Sequence, residues 1–426
     1  MAQDTPKWLR QAVIYEVFTR NHSIEGTFAN VADDLERIRQ LGADIVWLMP
    51  IHPISADGRK GTHGSPYAIR NYRAISPDLG DEASLKRLID KTHALGLKIM
   101  LDVVYHHTGR DANLTQEHPE WYLHDGNGNL SRKCEEWADV YDLDYAHQPL
   151  WDYLIGSLEK WSQLGIDGFR CDVAPLVPVE FWLAARQRLN RDKEVLWLAE
   201  SVHPAFVKFI RDHGYLAHSD AELHQAFDLT YDYDGRERLD LYFRGEAPLK
   251  AYLDYLYVQE TAYPQHALKL RFAENHDQPR IASLISSPTG LQNWTAFYLL
   301  LPGAALIYAG QEFGLAALPN LFEKDPVPWE RGDQNFLAFF EKMVACAKNI
   351  KAQCATFAIS ELATGVVQIV WSNAAETYTA ILNLEDRSGK IKLARAIQGQ
   401  DLFTGRPVQF TETILLQKEP LLIKTM

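Results

Sequence analysis

Short, unbroken apolar runs alternate with segments whose apolar residues recur at helical spacing, and this alternation restricts the possible folds more than any other feature. Residues 13–18 read as a strand; Val31, Leu35, Ile38 and Leu41 then share one helical face, and Gly42 ends the helix. The pattern repeats with a strand at 44–49, a helix marked by Leu85, Leu88, Ile89 and Leu95, and a strand at 97–104. Further strands are expected at 168–173, 195–199, 225–229, 268–273 and 304–309. The runs are apolar throughout, as in parallel sheets covered on both faces. Eight strands in β-α order with right-handed crossovers predict an α/β fold, a closed (β/α)8 TIM barrel.

The rhythm breaks twice. Residues 108–147 hold no clear helix and are rich in Asp, Asn, Gly and Trp, so a small, loop-rich insertion domain is expected after strand three. The barrel then comprises 1–107 and 148–354. Beyond 355, strands at 366–371, 378–384, 391–396 and 413–416 follow one another without helices, separated by turns such as Asp386-Arg387-Ser388-Gly389. They predict a C-terminal antiparallel β domain, a β-sandwich over 355–426. The chain has 426 residues, 46% of them hydrophobic, which suffices for so large a core.

Composition removes several classes of partner. The 43 basic and 56 acidic residues leave a net charge of −13, which argues against nucleic acid. Cys134, Cys171, Cys346 and Cys354 form no C-x-x-C pair and no zinc spacing, and read as reduced thiols. The first ten residues are polar, with no signal peptide visible, and the most apolar stretch, 294–309, is interrupted by Pro302 and Gly303. No membrane association and a cytoplasmic location are therefore expected; the oligomeric state is left open.

Barrel enzymes carry their chemistry at the C-terminal ends of strands. Strand three ends Asp102-Val103-Val104-Tyr105-His106-His107, strand four Arg170-Cys171-Asp172, strand five Leu198-Ala199-Glu200, and strand seven Glu274-Asn275-His276-Asp277. Buried strands do not carry such groups unless they are paired or functional. Arg170 and Asp172, two apart, point the same way on a strand, and the guanidinium is expected to keep Asp172 ionised, as a nucleophile requires. Glu200 follows Trp197-Leu198-Ala199, an apolar setting that favours a protonated acid. One attacking carboxylate and one proton-donating carboxyl are what glycoside hydrolysis needs.

These four segments, in this order, resemble the signatures of glycoside hydrolase family 13, the α-amylase family. Asp142-Leu143-Asp144, Ser65-Pro66-Tyr67 and the run from Lys324 to Trp329 also fit family motifs, so the resemblance covers barrel, insertion and C-terminal domain. It implies Asp172 as nucleophile, Glu200 as general acid and base, and Asp277 as the carboxylate that holds the distorted sugar. Asp102, His107, Arg170 and His276 are implied as substrate-binding residues, with Tyr67 stacked beneath the ring. The implied activity is retaining hydrolysis of α-1,4 bonds in malto-oligosaccharides or related α-glucans. Alternatives in the same family are a transglycosylase or isomerase of trehalose or sucrose type; a non-catalytic binding protein on the amylase fold is a third reading.

The resemblance departs at His106, where the family often has an Asn that gives oxygen to calcium. Imidazole is a poor replacement, so no cofactor is expected to be required and calcium is disfavoured. Asp125-Gly126-Asn127-Gly128-Asn129 reads as a turn. His106 and His107, adjacent on a strand, are expected to point oppositely, which argues against zinc. Trp121, Tyr122, Trp137 and Trp329 are candidates for contact with further glucose units, and Trp47 for the core.

Overall fold

The computed structural model describes all residues except positions 1, 3, 192 and 426. Eight parallel strands close into a barrel in sequential order: β1 (Val13–Val17), β2 (Ile45–Leu48), β3 (Lys98–Val103), β4 (Gly168–Cys171), β5 (Leu196–Ala199), β6 (Leu229–Tyr231), β7 (Leu268–Arg271) and β8 (Ala304–Tyr308). Closure pairs Val13 of β1 with Ala305 of β8. Side chains alternate along each strand. Ile14, Trp47, Met100, Leu198, Tyr231, Leu270 and Leu306 fill the barrel interior. Their neighbours, among them Tyr15, Val46, Leu101 and Phe169, pack outward against the helices. Two residues beyond Ile14, Met100 and Gly168, the inward series continues as Glu16, Asp102 and Arg170, so buried charge caps the apolar plug at the C-terminal mouth.

The sixth strand is a correction. Ala226 and Phe227 lie outside the sheet, with Phe227 in edge contact with Trp182 and Trp197; β6 begins only at Leu229. An apolar run under a helix looks like a buried strand in sequence. The insertion is held by a short ribbon, His107–Gly109 paired with Val140–Asp142, and contains a short α-helix, Asn113–Glu117, and a 3-10 turn, Pro119–Trp121, where no helix was expected.

The C-terminal part is an antiparallel sheet of six strands, β9 (Thr356–Ala363), β10 (Val366–Ser372), β11 (Thr377–Asn383), β12 (Ile397–Asp401), β13 (Pro407–Phe410) and β14 (Leu421–Thr425), in the order β9-β10-β11-β14-β12-β13. A two-stranded ribbon, Lys390–Lys392 with Thr413–Leu415, covers one face through Ile391 and Ile414. The expected strand at 391–396 is thus mostly this ribbon and a turn. The sheet's other face meets the barrel, where Trp371 donates its indole N–H to the Leu300 carbonyl.

Candidate active site

Arg170 sits at the centre of the mouth with its side chain fully buried. Nη1 donates to Oδ1 of Asp172 (2.5 Å) and Oδ1 of Asp102 (3.0 Å). Nη2 lies 2.9 Å from Oε1 of Glu200, in ion-pair range but off the N–H direction. Aromatic faces of Trp47 and Tyr67 approach the guanidinium at 5.1 and 5.6 Å. Three carboxylates from the ends of β3, β4 and β5 therefore share one cation.

This corrects the expected electrostatics. Burial pushes Asp172 well above the usual carboxylate range; Arg170 opposes it, but Glu200 and Asp102 add repulsion. Burial likewise pushes Asp102 up to about 7 against the pull of Arg170 and His276. A lone Arg–Asp pair would behave as expected; a cation divided among three carboxylates leaves the cluster holding a proton. Nor is the setting of Glu200 simply apolar, since Oε2 accepts the backbone N–H of Val173 at 2.9 Å.

A second chain of charge runs alongside. His276 places Nδ1 2.5 Å from Oε1 of Glu16, and Nε2 2.9 Å from Oδ2 of Asp277 and 2.8 Å from the Tyr67 hydroxyl. Burial disfavours the imidazolium, yet Asp277 and Glu16 together raise His276 well above its ordinary value. In return, and against burial, His276 and then Arg170 hold Asp277 below the usual range. Tyr67 lies stacked on His276, ring centres 5.4 Å apart. Glu16 was missed in the sequence reading. Its signal was available: a single carboxylate inside the five-residue buried strand β1.

A cavity of about 430 Å³ opens over these groups, and its wall includes Asp172, Glu200, Asp277, Tyr67, His107 and His276. Asp102 and Arg170 do not reach the wall. They lie beneath it, where Arg170 bonds both Asp102 and Asp172, in keeping with the role of orienting Asp172 that the resemblance implies for it. Trp137 also lines the cavity, beside Phe206 at 5.9 Å. Trp121 and Tyr122 are instead buried within the insertion. Trp329 ties its indole N–H to the His22 carbonyl and is absent from the wall. Trp47 is core, as expected.

The two adjacent histidines do not diverge. Both rings line the cavity, 4.0 Å apart, because they follow the end of β3, where strand alternation no longer applies. Nε2 of His107 bonds the Tyr67 carbonyl at 3.0 Å, and burial lowers His107 to about 4, leaving it neutral. His106 is fully buried, and burial lowers it further.

The donors at the junction of barrel and insertion do not fit calcium. His106 offers nitrogen rather than oxygen. Asp142, which pairs with His107 in the ribbon, has the ammonium of Lys133 as the principal positive charge acting on it. The backbone N–H of Lys133 donates to Oδ2 of Asp142 at 2.7 Å, and its ammonium donates to the Leu176 carbonyl at 3.2 Å. The run from Asp125 to Asn129 is a turn in which Oδ1 of Asp125 accepts the N–H groups of Asn127 and Asn129. Among the described residues, no group of three or more His, Cys, Asp and Glu side chains is arranged to hold a metal, and no helix is long and apolar enough to cross a membrane.

A barrel whose mouth gathers three cavity-lining carboxylates with aromatic and imidazole rings defines a carbohydrate-active enzyme of the (β/α)8 class. The family described as "Alpha amylase, catalytic domain" matches residues 13–352. The chain belongs to glycoside hydrolase family 13, the α-amylase family. It is 42% identical to an α-amylase from Lactobacillus plantarum whose crystal structure superimposes with a TM-score of 0.93, covering 99% of this chain and 100% of that one. The maltogenic α-amylase AmyB from Thermotoga neapolitana is 32% identical, with a TM-score of 0.87 over 98% and 99% of the two chains. The α-amylase MalA of Haloarcula japonica is 26% identical over 424 residues, which cover 94% of this chain and 59% of that protein.

Proposed function

We propose that the protein is a retaining α-glycoside hydrolase that cleaves α-1,4 bonds of malto-oligosaccharides or related α-glucans. One observation carries this reading: Asp172 and Glu200 lie against neighbouring nitrogens of one guanidinium and both face the cavity. That arrangement supports the short carboxyl separation, about 5–5.5 Å, of a double-displacement enzyme. An oxygen of Asp172 bonds to the anomeric carbon as the glycosidic C–O bond breaks, and Glu200 gives its proton to the leaving oxygen. Glu200 then takes a proton from water, whose oxygen displaces Asp172.

Asp277 accepts hydroxyl hydrogens of the ring, with His276 holding its orientation. His107 and Tyr67 complete the ring's surroundings. Asp172→Asn and Glu200→Gln should each lower kcat on maltodextrin by about 10³-fold or more, since one removes the nucleophile and the other a group of the kind typically worth about 10²–10⁴. Near-normal turnover in either variant would remove the assignment.

Trp137 and Phe206 on the cavity wall favour a second reading, in which a sugar bound there accepts the glycosyl group in place of water. Product analysis with maltotriose separates the two, since transfer yields longer oligosaccharides. The four cysteines form no disulfide, which supports a reducing, cytoplasmic compartment.

A further inference from the structure

A second cavity, of about 210 Å³, lies behind the loop that carries Tyr67, and Arg20, Arg59, His63 and Thr19 help to line it. Arg20 is only 8% exposed. Its Nη1 and Nη2 donate to the Gly64 carbonyl, and Nη2 also to that of Leu321. Arg59 likewise bonds only carbonyls, those of Ser55 and Thr62. Among the described residues, neither guanidinium has a carboxylate in ion-pair contact, and Asp78 is the sole carboxylate on the cavity wall, exposed at its edge. Nε of Arg20 and Oγ1 of Thr19 are buried without any hydrogen-bond partner.

A buried cation without a counter-charge is costly, and buried polar atoms are ordinarily satisfied. Burial, assisted by Arg59 and opposed by the more distant Glu323 and Asp78, holds Arg20 down at about 10. Carbonyl oxygens supply dipoles to these guanidinium groups but no negative charge. A tetrahedral oxyanion supplies both the charge and acceptors, and two arginines facing one cavity suit its geometry.

We propose that this cavity is a binding site for a phosphate group, carried either by inorganic phosphate or by a sugar phosphate. The site is separate from the catalytic cavity and does not depend on the reaction assigned there. Arg20 ties Gly64 to Leu321, and Leu321, with Ser65 and Tyr67, lines the catalytic cavity. A bound phosphate therefore steadies the wall on which Tyr67 sits.

The test is thermal unfolding of the full chain in inorganic phosphate, in α-glucose 1-phosphate and in sodium chloride of matched ionic strength. Phosphate should raise Tm by about 1–3 °C over chloride. The rise should disappear in Arg59→Ala and shrink in Thr19→Val, with both variants cooperatively folded in chloride. It should persist in Asp172→Asn, whose change lies in the catalytic cavity. Equal shifts with both ligands assign the site to free phosphate; a larger shift with the ester assigns it to the sugar phosphate. A shift matched by chloride, one that survives Arg59→Ala, or one lost in Asp172→Asn overturns the proposal.

Discussion

The backbone N–H of Val173 donates to Oε2 of Glu200 across 2.9 Å, and Val173 does so from a left-handed conformation, φ 36° and ψ 48°. A β-branched residue is rarely found there, and the conformation costs about 1–3 kcal/mol. The residue after Asp172 thus spends backbone strain to fix the carboxyl opposite it.

Val173→Gly should therefore change stability by less than about 1 kcal/mol, because relief of strain offsets the loss of a partly buried side chain. Val173→Ala keeps the Cβ and gains little relief, so it should be the less stable of the two. Urea unfolding of both variants checks the order.

Glu16→Gln should narrow the pH range of activity from the basic side. His276 is held protonated by Asp277 and Glu16, so its folded value is raised. A raised histidine contributes stability below its unfolded value and loses it as pH rises through the folded one. Removing the Glu16 charge lowers that upper limit. The basic limb of the kcat/KM profile should move to lower pH, with activity on its far side reduced about 10- to 100-fold as Asp277 loses its orienting partner. An unmoved basic limb would show that His276 is not the group titrating there.

Asp102 makes the opposite demand on the acid side. Burial lifts it to about 7. A carboxylate raised on folding favours the native state when protonated, so its contribution is complete below the unfolded value and declines as pH rises towards 7. Asp102→Asn should therefore gain on the wild type by about 1–3 kcal/mol as pH rises from 5 to 8. Chemical denaturation at the two pH values measures the difference. Arg170 retains Asp172 and Glu200 in the variant, so the guanidinium is not left unpaired.

Much of the site was legible because charge at the end of an apolar strand is conspicuous. Asp172, Glu200, Asp277 and His276 stand where the apolar pattern stops, and all four line the cavity. Glu16 carries the same kind of signal but lies inside β1, followed by Val17 and Phe18, and so looks like part of an apolar run. The division of Arg170 among three carboxylates was not legible, because Asp102, Asp172 and Glu200 come from three strands that only barrel closure makes neighbours. The divergence expected of His106 and His107 failed for a local reason: strand geometry ends at Val103. Ala226 and Phe227 misled because burial against a helix and burial in a sheet demand the same residues.

We propose that Asp172 forms a covalent bond to the sugar. Incubation with 5-fluoro-α-glucosyl fluoride, followed by proteolysis and mass spectrometry, tests it directly. One fluoroglucosyl group is expected on the peptide containing Asp172, and none in Asp172→Asn. An adduct on Glu200, or turnover of the reagent with inversion and no adduct, would contradict it.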